Sequence, residues 1–169
     1  MRIVVNGGHC PGRDSGACGS RLQEADACRR MMELAVQQLR GAGHEVLSVQ
    51  SDALAAITGA SNGFGAELFI AIHCNAAGSE EAQGTEVYYA SEAGSEMAAA
   101  VQDRIVRLLG TANRGTKEGG GLYVLRHTVA VAILVETAFI TNPADEELLL
   151  CQPDAFSSAI TAGVLDFIG

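Results

Sequence analysis

Short apolar runs recur along the chain, and between them the apolar positions spread to helical spacing. Ile3-Val-Val-Asn6, Leu68–His73 and Ala130–Glu136 are the strongest strand candidates. The second and third are almost wholly apolar, as strands covered on both faces are. Glu45–Val49, Thr85–Tyr89 and Leu122–Leu125 are shorter candidates. Leu22, Ala25, Met32, Ala35, Val36 and Leu39 repeat at the helical period. Ser20 with Gln23 three residues on has capping-box spacing, so a helix is predicted from near Ser20 to the Gly41-Ala-Gly43 stop. Further helices are predicted over 52–64, from Ser91 or Ser95 to Gly110, from Asn142-Pro143, and over 154–167. Residues 76–83 and 111–121 show no apolar period and are expected to be loops. Strands alternating with helices predict an α/β fold over residues 1–169, a single domain. Its centre is a twisted, mostly parallel sheet of about six strands with helices on both faces.

Three of the strands deliver a titratable residue to the same end. Residues 3–6 run through Gly7-Gly8 to His9, 68–72 end on His73, and 131–135 end on Glu136. Open parallel sheets hold their ligands beyond the carboxyl ends of their strands. Glu24, early in the first helix, reaches the same edge. Two imidazoles and a carboxylate are zinc ligands, and a catalytic zinc keeps three protein ligands and an open fourth position. His9, Glu24 and His73 are therefore the candidate metal ligands. Bound zinc brings the pKa of its water to about 7. A further group must then take the proton and pass it on, and Glu136 fits that role. Singly, each of these residues has a plainer explanation: a histidine after a strand is more often structural, and a glutamate in a first turn is more often solvated. Glu136 weighs more, because a carboxylate beside Ala-Ile-Leu-Val is costly to bury without a use.

Asn75 either hydrogen-bonds near the site or shapes the turn after its strand. Arg114 and Lys117 either hold a substrate carboxylate or are solvated loop charges. Glu86 is expected on the solvent face of its strand. His44 and His127 have no matching partner and are expected to be surface or structural residues. The glycine loop at 7–13 matches neither the dinucleotide fingerprint nor a loop ending in Gly-Lys-Ser/Thr, so phosphate binding ranks low.

The formal net charge of −9 excludes the basic surface that nucleic acid requires, and it disfavours electrostatic adhesion to anionic membranes. No apolar run approaches the ~20 residues of a membrane span. The cysteines, at 10, 18, 28, 74 and 151, are an odd set with no paired spacing, so free thiols are expected. Alternation along the strand should turn Cys74 away from whatever His73 binds.

Taken in order, these motifs resemble a known family: the zinc-dependent N-acetylmuramoyl-L-alanine amidases of the Amidase_3 type, found in bacterial cell-wall hydrolases and phage endolysins. The resemblance runs from residue 3 to about residue 150 and rests on Gly8-His9, Asp14-Ser-Gly-Ala17, Glu24, Ile72-His-Cys-Asn-Ala76, Gly84-Thr-Glu-Val-Tyr-Tyr89 and Val135-Glu-Thr-Ala-Phe-Ile-Thr-Asn142. It implies zinc held by His9, Glu24 and His73, with Glu136 as the catalytic acid and base. It implies peptidoglycan as partner, with hydrolysis of the amide between the lactyl group of N-acetylmuramic acid and L-alanine. Cys10-Pro11 stand where the family has glycines, Ser15 stands for its proline, and Ala138 for a common glycine. The chain is short for the family, which implies trimmed loops and an open cleft. Without an apolar leader, the expected route is synthesis in the cytoplasm and access to the wall by release or a non-classical export. The alternatives are a zinc hydrolase of another amide, such as a peptidase or deacetylase, and a catalytically silent wall-binding module.

Overall fold

The structure, a computed structural model, describes residues 1–169. β1 (Arg2–Gly7), β2 (Glu45–Val49), β3 (Leu68–Asn75), β4 (Thr85–Tyr89), β5 (Asn113–Glu118) and β6 (Val131–Phe139) form one sheet in the order β2-β1-β3-β6-β4-β5. Every neighbouring pair is parallel except β4 against β6. The helices are α1 (Glu24–Gly41), α2 (Leu54–Phe64), α3 (Glu92–Leu109), α4 (Tyr123–His127), α5 (Pro143–Cys151) and α6 (Pro153–Ile168). The predicted α/β architecture stands.

Alternation along the strands divides the core. Ile3, Val5, Ile70, Ile72, Ile133, Val135 and Val87 face α1, α3 and α6 in a cluster of 28 buried residues. Val4, Phe69, Ala71, Ala132 and Leu134 face the other way, under α2 and α4, in a cluster of 8. One face is thus thickly covered and the other thinly, so a cleft opens on the thin side. His73 is opposite Glu136, and Glu136 is opposite Glu86. These three share the parity of Leu134 and Ala71, which puts them in one row on the thinly covered face.

Four local expectations change. The stretch predicted as a loop contains β5, Asn113-Arg-Gly-Thr-Lys-Glu118, an edge strand with no large apolar residue. Its hydrogen bonds come from β4 alone, and its charges suit an exposed edge. Leu122–Leu125 is not a strand: the chain turns helical at α4, burying Val124 and Leu125 in the small cluster. An apolar run this short carries no period that separates the two states. The capping box at Ser20 does not form. α1 starts at Glu24, and Ser20 Oγ donates to Glu146 Oε2 at 2.6 Å. The buried Glu146 carboxylate on α5 also accepts from the backbone N–H groups of Arg21 (2.7 Å) and Leu22 (3.0 Å), so a remote acceptor displaces the local cap. The fourth change is Glu86: the arrival of β5 makes β4 an inner strand, and Glu86 is buried rather than solvent-facing.

The remaining cap predictions hold. Ser91, not Ser95, caps α3 by accepting from Gly94 N–H at 3.0 Å. Asn142 Oδ1 accepts from Ala144 and Asp145 at 3.0 Å each, with Pro143 in the first turn of α5. All five cysteines are unpaired, and Cys74 is buried on the face opposite His73. His44 lies at the surface against the N-terminus, and His127 stacks on Tyr123 with ring centroids 4.0 Å apart.

Candidate metal centre and proton-transfer site

The loop between β1 and α1 delivers two of the candidate ligands, and β3 delivers the third. Gly8 N–H donates to Ile72 O at 2.9 Å, which holds the loop entrance against β3. His9 follows at φ 57°, the single non-glycine residue in the left-handed region. Such a conformation costs of order 1 kcal/mol or more and persists only where the surroundings enforce it. Here Asp14 Oδ2 accepts from His9 Nδ1 at 2.7 Å. That bond fixes the tautomer and leaves Nε2 directed at Glu24, 3.1 Å from Oε2. Asp14 is in turn held below the usual carboxylate range by its bonds from His9 and from Gly16 N–H.

Glu24 is the first residue of α1 and is buried. Its Oε1 lies 2.9 Å from His73 Nδ1 and accepts from Cys74 N–H at 3.1 Å. Its Oε2 accepts from Ala17 N–H at 2.9 Å. Burial pushes the Glu24 pKa up, but the bond from His73 and the two backbone donors outweigh it and leave it below the ordinary value. His73 behaves in mirror image: burial pulls it down, and the bond to Glu24 with the charges of Glu136 and Glu24 carries it above the ordinary imidazole value. The ligating atoms of His9, Glu24 and His73 all lie within 4.8 Å of one another. Two imidazole nitrogens and one anionic oxygen, with Asp14 behind one imidazole and two backbone N–H groups behind the carboxylate, are a donor set that fits zinc. The His–Glu hydrogen bonds occupy the positions that metal–ligand bonds would take.

Gly16 fits closely against two of the candidate ligands. It sits at φ +65°, and a Cβ there would lie 2.5 Å from the His9 ring and 2.6 Å from Glu24 Oε2. Gly16→Ala is therefore expected to push two ligands apart and to weaken metal affinity about 10-fold or more, as loss of ligand support does elsewhere. Chelator competition measures this, and unchanged affinity would refute the close fit.

Beside the candidate ligands, Glu136 occupies the next strand in the row. Its Oε2 is closed off from solvent and has no hydrogen-bond partner. Burial raises its pKa to about 7; attraction to His73 is the main opposing effect, and repulsion from Glu24 and Glu86 adds to the rise. That is the range in which one group both accepts and donates a proton at neutral pH.

One strand further, the Glu86 carboxylate gathers four partners. Asn75 Nδ2 (2.9 Å) and Tyr88 Oη (2.7 Å) donate to Oε1. Arg114 Nε (2.7 Å) and Lys117 Nζ donate to Oε2. Burial alone would raise the Glu86 pKa, but the Lys117, Arg114 and Tyr88 bonds bring it down to about 2. Asn75 also caps the following turn through Ala76 N–H (2.9 Å), so both roles weighed for it are filled.

On the other side of His73 the thin face opens into a cleft of about 370 Å³. His9, Asp14, His73, Leu54, Ile57 and Tyr123 line it, together with Ser51 and Asp52.

All seven sequence-predicted site residues thus fall on one edge and face of the sheet. Sequence reasoning missed the work of Glu86 and the support Asp14 gives His9. The first had a signal: Glu86 has the parity of Tyr88, and a carboxylate on an inner strand invites the argument used for Glu136. Asp14 carried none beyond its motif, since the loop that folds it back on His9 has no period.

The sequence profile of the N-acetylmuramoyl-L-alanine amidase family, Amidase_3, matches residues 3–168. The N-acetylmuramoyl-L-alanine amidase LytC of Bacillus subtilis is 31% identical, over 98% of this chain and 35% of its own length. The germination-specific N-acetylmuramoyl-L-alanine amidase of the same organism is 30% identical, over 98% of this chain and 78% of its own. The N-acetylmuramoyl-L-alanine amidase AmiC2 of Nostoc punctiforme superposes with a TM-score of 0.92 at 29% identity, over 99% of this chain and 97% of that one.

Proposed function

The chain belongs to the N-acetylmuramoyl-L-alanine amidase family, and on that footing we propose that it hydrolyses the amide between the lactyl group of N-acetylmuramic acid and L-alanine of the peptidoglycan stem, with zinc as its cofactor. The observation that carries this reading is the row His73–Glu136 with Glu24 and His9 closing on it: three ligating atoms within 4.8 Å and an unpartnered carboxylate oxygen one strand away. His9 Nε2, Glu24 and His73 Nδ1 would hold the metal. When bound there, zinc supplies a Lewis acid that polarises a carbonyl and makes water acidic near neutral pH.

The chain's own residues do the rest. Asp14 keeps the His9 proton on Nδ1, so that Nε2 is free to ligate. Ala17 and Cys74 N–H groups hold the Glu24 carboxylate in the plane it needs. Glu136 takes a proton from the attacking water. It then returns that proton to the departing amine nitrogen, which would otherwise leave as a high-energy anion. The thinly covered face and its cleft leave room for a polymeric substrate.

Mass analysis of purified peptidoglycan after digestion tests the reading. Free stem peptides beginning with an L-alanine amine, together with unpeptidylated glycan strands, are expected. Cleavage inside the peptide or removal of acetate would place the enzyme among other amide hydrolases. Absence of any product from zinc-loaded protein would leave a wall-binding role.

A further inference from the structure

A second charged feature adjoins the proton-transfer residue. β5 should present alternate residues to opposite faces, which would put Arg114 and Lys117 on different sides. They are on the same side because the register slips: Thr85 pairs with Asn113, but Val87 pairs with Thr116. One extra residue on β5 takes up the slip, and Gly115 sits within it at φ +77°. The bulge turns both cations back over β4 onto Glu86. Bulges of this kind are built features of a sheet and re-aim side chains.

The pair is held firmly and is not used up. Arg114 also stacks on Phe139, its guanidinium carbon 4.8 Å from the ring centroid, and Lys117 lies over Tyr88 at 5.9 Å. A guanidinium carries five N–H donors and an ammonium three. Glu86 accepts one bond from each, and the remaining donors find no acceptor within the protein. Both side chains remain 37% exposed, whereas Glu86 is 4% exposed. One buried negative charge therefore organises two positive ones, leaving a net cation in a chain of charge −9.

We infer that Arg114 and Lys117, positioned by Glu86, receive a carboxylate on the peptide side of the substrate. This rests on the amidase reading above and extends it to substrate orientation. Neighbouring strands are about 4.8 Å apart, so cations held over β4 lie roughly 5–10 Å from the β6 row that contains Glu136. An extended peptide advances about 3.5 Å per residue, which places the captured carboxylate about two residues beyond the scissile amide. The far side of His73 has the opposite character: Leu54, Ile57 and Tyr123 line it, and Asp52 among them repels anions. An uncharged amidated muramoyl sugar belongs there. The departing amine then emerges on the Glu136 side, where its proton is supplied.

The test compares muramoyl-dipeptides whose second residue carries either a free carboxylate or its carboxamide. Zinc-loaded wild type is expected to favour the acid by roughly 10-fold or more in kcat/KM, the scale of a charge-assisted bond. Lys117→Met and Arg114→Gln should reduce that preference to about 2-fold or less, chiefly by raising KM for the acid relative to the carboxamide. Lys117→Met leaves Arg114 on Glu86, so its fold is the safer of the two; thermal melting checks both. Lys117 is the chain's only lysine. Selective 13C labelling of lysine therefore gives one Cε signal, which should move on titration with the free-acid stem peptide and stay in place with the carboxamide. Equal hydrolysis of the two substrates by wild type, or a Cε signal indifferent to the carboxylate, overturns the inference. Loss of the amidase reading would show differently, as no hydrolysis of either substrate, and the Cε signal decides the carboxylate site in that case as well.

Discussion

Glu136→Gln is expected to lower amidase turnover by on the order of 100-fold or more, the range that general acid–base catalysis contributes, while the purified variant keeps its full zinc content. The substitution conserves shape and removes the proton-accepting charge. Glu136 is not among the three residues whose ligating atoms converge, so its loss leaves the metal donors intact. Turnover on muropeptides and metal analysis of the same preparation make the test. Loss of zinc would make Glu136 a ligand. Near-normal turnover would move the base elsewhere, with Asp14 the nearest carboxylate of the loop, although its Oδ2 is engaged by His9.

The same variant carries a stability signature whose sign follows from the raised pKa. In the metal-free protein Glu136 titrates at about 7, against 4.5 for an unperturbed glutamate. A carboxyl whose folded pKa lies above its unfolded one gives stability that is fully present below the unfolded pKa and is lost as pH rises through the folded value. Between pH 4.5 and pH 8 the wild type should thus lose up to roughly 3 kcal/mol at this one residue. Glutamine does not titrate. Metal-free Glu136→Gln should melt several degrees above wild type at pH 8, and near it at pH 4.5. Bound zinc, a nearby dication, should shrink that difference by favouring the carboxylate. A Glu136 that carries the chemistry would thus be a cost to the fold at working pH, in the usual direction of exchange between stability and activity.

What was legible in the sequence depended on which force wrote each element. β1, β3 and β6 are buried on both faces, so hydrophobicity marked them, and their polar ends marked the site. His9, Glu24, His73 and Glu136 were accessible to reasoning for that reason, and the family resemblance joined them. β5 was invisible because an edge strand needs backbone partners and not apolar side chains; Asn113-Arg-Gly-Thr-Lys-Glu118 offers no apolar period. Glu86, expected on the solvent face of its strand, is buried where Arg114 and Lys117 of β5 close over it. Arg114 and Lys117 are legible as charges, but their shared direction comes from a one-residue slip at Gly115 that no periodicity encodes. Ser20 failed as a cap because Glu146, far along the chain, competes for its hydroxyl, and a local rule cannot see a distant acceptor.

Removal of His73 should produce the converse of the Glu136 result. His73→Ala is expected to purify with little zinc, on the order of a tenth of an equivalent or less, and to lose essentially all amidase activity. The three donors come from separate elements: the loop after β1, the first turn of α1, and β3. A metal that binds all three ties those elements together and stabilises the folded state by an amount set by its concentration over its Kd. A catalytic zinc keeps only three protein ligands, so deleting one leaves a pair that cannot complete the set. The deletion also strips Glu24 Oε1 of its imidazole partner and leaves only Cys74 N–H on that oxygen of a buried carboxylate. Wild type should lose several degrees of melting temperature when zinc is chelated, and His73→Ala should melt at the same temperature with or without chelator. A full equivalent of zinc in purified His73→Ala, or a melting temperature that still responds to chelator as the wild type does, would remove His73 from the ligand set. Normal zinc without turnover in Glu136→Gln, beside neither zinc nor turnover in His73→Ala, would separate the metal-holding function of β3 from the proton-moving function of β6.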